Sequence, residues 1–199
     1  MRFYTVNCTA SSTYHSQGSK FIAFIHQTQS LEKYKSILND YKTKHPRPCH
    51  VCSAYRLYSN NQIIEYSSDD GEPRGSSGPP VLNKIKKHNM VNVSIYVVRY
   101  FGGKKLGISG LINAYGSVSD NCLKDVKKIL WFTTKTISIR YNYLFSGFVE
   151  NLITKFKAKI IKQEFDKNIV IKIQIREELE FDFKKHIYDK SNGKIIISS

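Results

Sequence analysis

Two short stretches hold most of the residue types that could do chemistry. The first is Ser67-Ser68-Asp69-Asp70-Gly71-Glu72-Pro73-Arg74-Gly75-Ser76-Ser77-Gly78-Pro79-Pro80, where three carboxylates, three glycines and a run of hydroxyls follow one another. Asp and Ser side chains satisfy backbone donors in turns, and glycine reaches positive φ, so the stretch suits a rigid, self-capped loop. Asp69, Asp70 and Glu72 are also the right types for metal ligands or acid–base groups, with Arg99 as an anion clamp. The second stretch is Val97-Val98-Arg99-Tyr100-Phe101-Gly102-Gly103-Lys104-Lys105-Leu106-Gly107-Ile108-Ser109-Gly110-Leu111, a strand feeding a glycine-rich turn and then a helix. Amides at such a helix start, with Lys104 and Lys105 beside them, attract a phosphate. Gly102 and Gly107 have P-loop spacing, but Ile108-Ser109 stands where that motif needs a lysine, and no G-x-G-x-x-G can be placed. A second reading of these glycines is close packing of the helix against a sheet.

Cys49-His50-Val51-Cys52 offers a C-x-x-C, yet a tetrahedral zinc site needs two more ligands at comparable spacing, and Cys8, His15, His88 and Cys122 stand alone. No metal and no cofactor is expected. Without a thioredoxin-like βαβ frame around the pair, Cys52 reads as a buried thiol.

The elements that position these stretches follow from periodicity. Eight of the 11 glycines and three of the five prolines fall between Gly71 and Gly116, so special backbone geometry is concentrated there. Phe21 to His26 predicts a strand, and Leu31, Tyr34, Ile37, Leu38 and Tyr41 predict an amphipathic helix ending before His45-Pro46-Arg47-Pro48. Val51 to Tyr58 and Gln62 to Tyr66, joined by Ser59-Asn60-Asn61, predict a hairpin. Pro79-Pro80 can open a short helix. Val91, Val93, Ile95 and Val97 alternate with Asn92, Ser94 and Tyr96, the pattern of a strand with one buried face, becoming apolar on both faces near Val97-Val98. Leu111 to Val126 predicts one further helix.

The remainder predicts strand Thr136 to Tyr143, helix Leu144 to Phe156, strand Lys159 to Phe165, strand Ile169 to Ile175, helix Leu179 to Tyr188 and strand Lys194 to Ile197. This βαββαβ order matches the ferredoxin-like motif, with two helices on one face of an antiparallel sheet. The expectation is an α+β chain of two domains, residues 1–130 and 135–199, joined somewhere in Leu130 to Lys135. Ile169 to Ile175 lacks the aromatics of a base-stacking RNA-binding sheet, so any RNA contact of this part would be to backbone.

Composition bounds the function classes. The 199 residues are 41% apolar and 24% charged, ordinary for a folded globular protein. No apolar run approaches the roughly 18 residues of a membrane span, and the polar start after Met1 lacks a signal-peptide core, so a cytosolic protein without membrane contact is expected. Net charge is +15, with 18 basic against 8 acidic residues in 1–132 and 13 against 8 in 133–199. Such a charge favours encounters with polyanions such as RNA, although a lysine-rich composition alone can produce it.

The motifs together resemble the IMPACT/YigZ family. The resemblance rests on Ser19-Lys20-Phe21-Ile22-Ala23, His50-Val51-Cys52-Ser53-Ala54-Tyr55, Ser68 to Pro73 with Gly75, Gly78 and Pro80, and Val97 to Gly103 with Lys105, Leu106, Gly107, Gly110, Leu111, Ala114 and Tyr115. It covers about residues 15 to 125, and the segment from Gly110 to Tyr115 is similar to bacterial members. It implies a first domain like ribosomal protein S5 domain 2 and, in bacterial members, a ferredoxin-like second domain, both similar to the tip domains of elongation factor G. It also implies the role of eukaryotic members, which act in translational control by binding an activator of the kinase that senses amino-acid starvation. Gly75-Ser76-Ser77-Gly78 departs from the family, which usually has a threonine and an alanine between these glycines.

The expected function is therefore a translation-associated regulatory binding protein, meeting ribosomal RNA or a ribosome-bound factor. The alternative is a metal-dependent hydrolase of a phosphorylated or peptide-like substrate. No catalytic nucleophile and base can be paired from sequence. The candidate binding residues are Ser68, Asp69, Asp70, Gly71, Glu72, Gly75, Gly78, Arg99, Tyr100, Gly102, Gly103, Lys105, Gly107 and Gly110. The two stretches are expected side by side, with Asp69, Asp70 and Glu72 orienting Arg99 or a cation, and Gly102, Gly103 and Gly107 letting a ligand approach.

Overall fold

The computed structural model describes residues 2–45 and 50–198. Pro46-Arg47-Pro48 and Cys49, and with it the C-x-x-C reading, lie outside the described residues. The chain divides into two compact units, Met1–Trp131 and Phe132–Ser199.

In the first unit, β1 (Phe3–Val6) pairs with β7 (Lys128–Trp131) as a separate antiparallel ribbon. A five-stranded antiparallel sheet holds β2 (Ala10–Ser16), β3 (Ser19–Gln27), β6 (Val93–Tyr100), β4 (His50–Ser59) and β5 (Gln62–Ser68), in that order. The helices are α1 (Leu31–Lys44), α2 (Gly78–Lys87) and α3 (Gly107–Asp125). β1, β2 and β7 were not expected. β2 is the polar run ASSTYHS at a sheet edge, so it carries no apolar signal, and β7 takes Leu130 and Trp131 out of the expected linker. The connection between the last strand of one unit and the first of the next is Phe132-Thr133.

The central strand β6 corrects the one-faced reading, because every residue from Val93 to Arg99 is buried. Val93, Ile95 and Val97 pack into a core with Phe21, Val81, Leu111 and Val118, which α2 and α3 close from one side. Tyr96 packs on the other face with Tyr34 and Ile37 of α1 and with Tyr55 and Leu57 of β4. Each such side chain contributes about 1.5–3 kcal/mol when fully buried. The polar residues that read as exposed are hydrogen-bonded inside, as buried polar groups must be. Ser94 lies 2.6 Å from the Thr28 hydroxyl and donates to Tyr96 Oη, which donates to the Tyr34 carbonyl.

The second unit runs β8 (Thr134–Tyr141), α4 (Ser146–Lys155), β9 (Lys159–Phe165), β10 (Ile169–Arg176), α5 (Glu180–Ser191) and β11 (Ile196–Ser198). Its sheet order is β11-β8-β10-β9, antiparallel throughout. Ile169, Ile171, Ile173 and Ile175 face Val149, Leu152, Phe183 and Ile187 in one core. β8 stops at Tyr141, two residues early, because the Asn142 side chain accepts from Leu144 N and starts a 3-10 turn. Among the described residues, no helix is long and apolar enough to cross a membrane.

Candidate functional site

The acidic loop joins β5 to α2, and its first carboxylate is used to build it. Asp69 Oδ2 accepts from Gly75 N at 2.8 Å, while Oδ1 accepts from Ser77 N, Gly78 N and the Ser77 hydroxyl at 2.7–3.0 Å. Partial burial alone would raise its pKa, but these four donors outweigh it and hold the carboxyl below its ordinary value. Asp69 thereby also caps the start of α2. Asp70, in a left-handed conformation at φ 44°, ties the loop to its neighbours. Its Oδ2 accepts from Val51 N at 2.8 Å, its Oδ1 meets Lys42 Nζ at 2.6 Å, and its carbonyl accepts from His50 Nδ1 at 2.7 Å. Ser68 Oγ accepts from Asp70 N. Gly71, at φ 89°, sits under the His50 ring, and a Cβ on Gly78 would come within 2.7 Å of Ser68 N.

Glu72 alone of the three carboxylates meets Arg99. Its Oε1 accepts from Arg99 Nη1 at 2.7 Å and from the Tyr115 hydroxyl at 2.8 Å, and its Oε2 lies 3.9 Å from His50 Nε2. Arg99 is 6% exposed, its guanidinium 5.5 Å from both the Phe21 and Phe101 rings, and its Nε has no hydrogen-bond partner among the described residues. Burial raises the Tyr115 pKa, so its hydroxyl remains a donor. Burial likewise pushes the Cys52 thiol up to about 12, and Cys52 Sγ donates to the Asp69 carbonyl, so this thiol is not a nucleophile. The expectation that three carboxylates share a cation or orient Arg99 together is thus corrected. Asp69 and Asp70 are turned away by the backbone donors of their own loop and of β4.

A pocket of about 390 Å³ opens where this network meets the start of α3. His50, Glu72, Pro73, Arg99, Phe101, Lys105, Leu106, Gly107, Ile108 and Leu111 line it. The first N–H groups of any helix lack intrahelical partners. At α1 the Ser30 side chain accepts from Lys33 N, and at α2 Asp69 supplies the acceptor. At α3 the N-cap is Leu106, which has no side-chain cap bond, and the first turn holds no acidic residue. Leu106 is right-handed (φ −80°, ψ −18°) and Gly107 has φ 70°, so the chain turns sharply as it enters α3.

Of the candidate residues, Glu72, Arg99, Lys105 and Gly107 meet in this pocket. Tyr100 does not line it, because its hydroxyl is 2.6 Å from His45 Nδ1 beyond α1. Gly102 is a packing point, not a ligand approach, since a Cβ there would lie 1.9 Å from the Gly18 carbonyl carbon in the β2–β3 turn. A Cβ on Gly110 would come within 2.9 Å of Leu106 Cβ, whereas Gly75 and Gly103 face open space at positive φ. Sequence reasoning missed His50 and Phe101 as pocket residues. His50 pairs directly opposite Arg99 in the β4–β6 register, a juxtaposition that only the non-local pairing reveals.

The family model described as the Impact N-terminal domain matches residues 17–123, which include both walls of the pocket. The chain belongs to the IMPACT family. It is similar to an IMPACT family member of Haemophilus influenzae, 30% identical over 180 residues, covering 90% of this chain and 87% of that one. It is also similar to the IMPACT family member YvyE of Bacillus subtilis, 28% identical over 176 residues, covering 88% and 81%. A solved structure described as that of a hypothetical protein shares the fold with a TM-score of 0.71 at 23% identity, covering 100% of this chain and 97% of that chain. In IMPACT family terms, the segments that carry the resemblance are those that build the Asp69 loop, the Arg99–Glu72 pair and the turn before α3.

Proposed function

We propose that this IMPACT family chain is a translation-associated regulatory binding protein that contacts ribosomal RNA or a ribosome-bound factor. The observation that carries the reading is the cationic pocket inside the matched segment. Arg99 is fixed by a buried carboxylate, Lys105 lines the pocket as an exposed side chain, and the start of α3 has no side-chain cap among the described residues. A positive site of this kind on a chain of net charge +15 suits a polyanion. The role that the resemblance implies for eukaryotic members supplies the translational setting. We read the first unit as like ribosomal protein S5 domain 2 and the second as ferredoxin-like, the latter supported by its βαββαβ order and by a sheet whose first and third strands are central. The domains are read as independent, so limited proteolysis is expected to cut near Phe132-Thr133. The metal-dependent hydrolase finds no support in carboxylates that diverge.

Sedimentation of a cell lysate through sucrose tests the function. The chain is expected with ribosomes at low salt and off them at high salt, and Lys105→Ala should lower the slope of log affinity against log salt by about one. Failure to sediment at any salt, or a slope unchanged by the substitution, overturns the reading.

A further inference from the structure

We propose that the pocket at the start of α3 receives a single nucleotide, its phosphate on the open amides and Lys105, its base on Phe101. The proposal deepens the RNA reading above and rests on it. Three features of the pocket select this ligand class over a bare anion or an apolar carboxylate.

The first is the charge balance. Glu72 is the sole acidic residue of the lining and is engaged by Arg99 and Tyr115. Lys105 and the positive end of α3 are therefore left without a countercharge in the pocket. α3 is 19 residues long, and among the described residues of this unit it alone of the helices starts without a side-chain acceptor on its first N–H groups. Independently, Arg99 is 6% exposed, lines the pocket and has a buried Nε–H with no acceptor among the described residues. A surplus of donors around an uncompensated positive charge is the chemistry of a phosphate site.

The second is the ring. Phe101 is 47% exposed and has the Arg99 guanidinium 5.5 Å from its centroid, so it is braced by a cation while part of its surface stays open. An exposed aromatic beside a cationic groove is the platform on which a base stacks without sequence preference. The third is His50. A carbonyl can only accept, so the contact with the Asp70 carbonyl places a proton on Nδ1, and Nε2 is the ring nitrogen left on the pocket side, 3.9 Å from Glu72 Oε2. A ribose hydroxyl can donate to or accept from a ring nitrogen, whereas a carboxylate can only accept. At about 390 Å³ the pocket lies at the small end of the roughly 300–1,000 Å³ typical of small-molecule sites, which fits one nucleotide.

Titration of the full chain, followed by NMR and calorimetry, tests this with inorganic phosphate, adenosine, AMP and hexanoate as probes. AMP is expected to bind at least tenfold more tightly than either phosphate or adenosine. Lys105→Ala should weaken AMP and phosphate alike by fivefold or more. Phe101→Ala should bring AMP down to the level of phosphate and leave phosphate unchanged. Both side chains are exposed, and circular dichroism confirms that the variants fold. Equal binding of AMP and phosphate, tighter binding of hexanoate, or indifference of AMP to Phe101→Ala overturns the proposal. Oligoribonucleotides with a 5′-phosphate or a 5′-hydroxyl identify the source: a preference for the phosphate places an RNA end in the pocket, and AMP binding without that preference assigns a free nucleotide. Ribosome sedimentation of Phe101→Ala separates the two readings. Failed AMP binding with intact sedimentation removes the nucleotide alone, and AMP binding without sedimentation removes the ribosomal role alone.

Discussion

The two sheets of this chain are covered differently, and the difference decides where function can be placed. The five-stranded sheet is packed on both faces, so β6 is buried from Val93 to Arg99 and even its serine is bonded inside. Its central strand has no face to offer a ligand and can expose chemistry only at its ends. The pocket lies there, where Arg99 at the end of β6 meets His50 at the start of β4. The four-stranded sheet is packed on one face. Its core side is filled by isoleucines, and its other side carries Lys162, Lys172, Ser138 and Glu164 around a shallow depression. Covering both faces concentrates polar chemistry into one rimmed site, and covering one spreads it over a flat surface.

The largest test of this contrast is at the strand end. Glu72→Ala leaves Arg99 charged, 6% exposed and unpaired, and is expected to cost about 3–5 kcal/mol. Urea denaturation measures it, and a loss under about 1 kcal/mol would break the claim that the pair is buried and fixed. Next comes the interior of the doubly covered sheet. Tyr96→Phe removes the donor to the Tyr34 carbonyl and the acceptor for Ser94, and should cost about 1–3 kcal/mol in the same assay. Lys172→Ala, on the bare face of the other sheet, should stay within about 0.5 kcal/mol. If the lysine change costs as much as the tyrosine change, the face of β10 is not open.

The smallest effect is a pH dependence. Asp69 and Asp120 both have lowered pKa values in the folded chain, Asp69 through its four loop donors against some burial, Asp120 through Lys124 and then His88. A lowered carboxylate contributes stability that is present above its unfolded value near pH 4 and is lost as pH falls through the folded value. Thermal melts from pH 6 down to 2 should therefore show declining stability, less steep in Asp69→Asn. An equal slope in that variant would separate the loop from acid sensitivity.

Local rules made much of this legible. The hairpin, α1, α3 and the alternating second unit follow from periodicity, and Pro79-Pro80 marks the start of α2. β1, β2 and β7 were not legible, because an edge strand of serines has no apolar face and the ribbon joins residues more than 120 positions apart. For the site, residue types identified the right segments but not the roles within them. Asp69 and Asp70 look like ligands until the backbone donors of their own loop claim them, and Gly102 looks like an opening until Gly18 is set against it. Distinguishing the builders of a pocket from its lining requires knowing which strands are neighbours, and that information is spread over the whole chain.

The β1–β7 ribbon has one spectroscopic consequence. Trp131 is the chain's sole tryptophan, and its indole lies 4.7 Å from the Tyr58 ring and 6.4 Å from that of Phe3. Its emission is therefore an intrinsic optical label on the closure of the first unit, quenched or released as that ribbon opens. Far-ultraviolet dichroism, by contrast, averages over both units. A denaturation curve recorded in the two ways at once assigns each transition to its half of the molecule with no dye or tag attached.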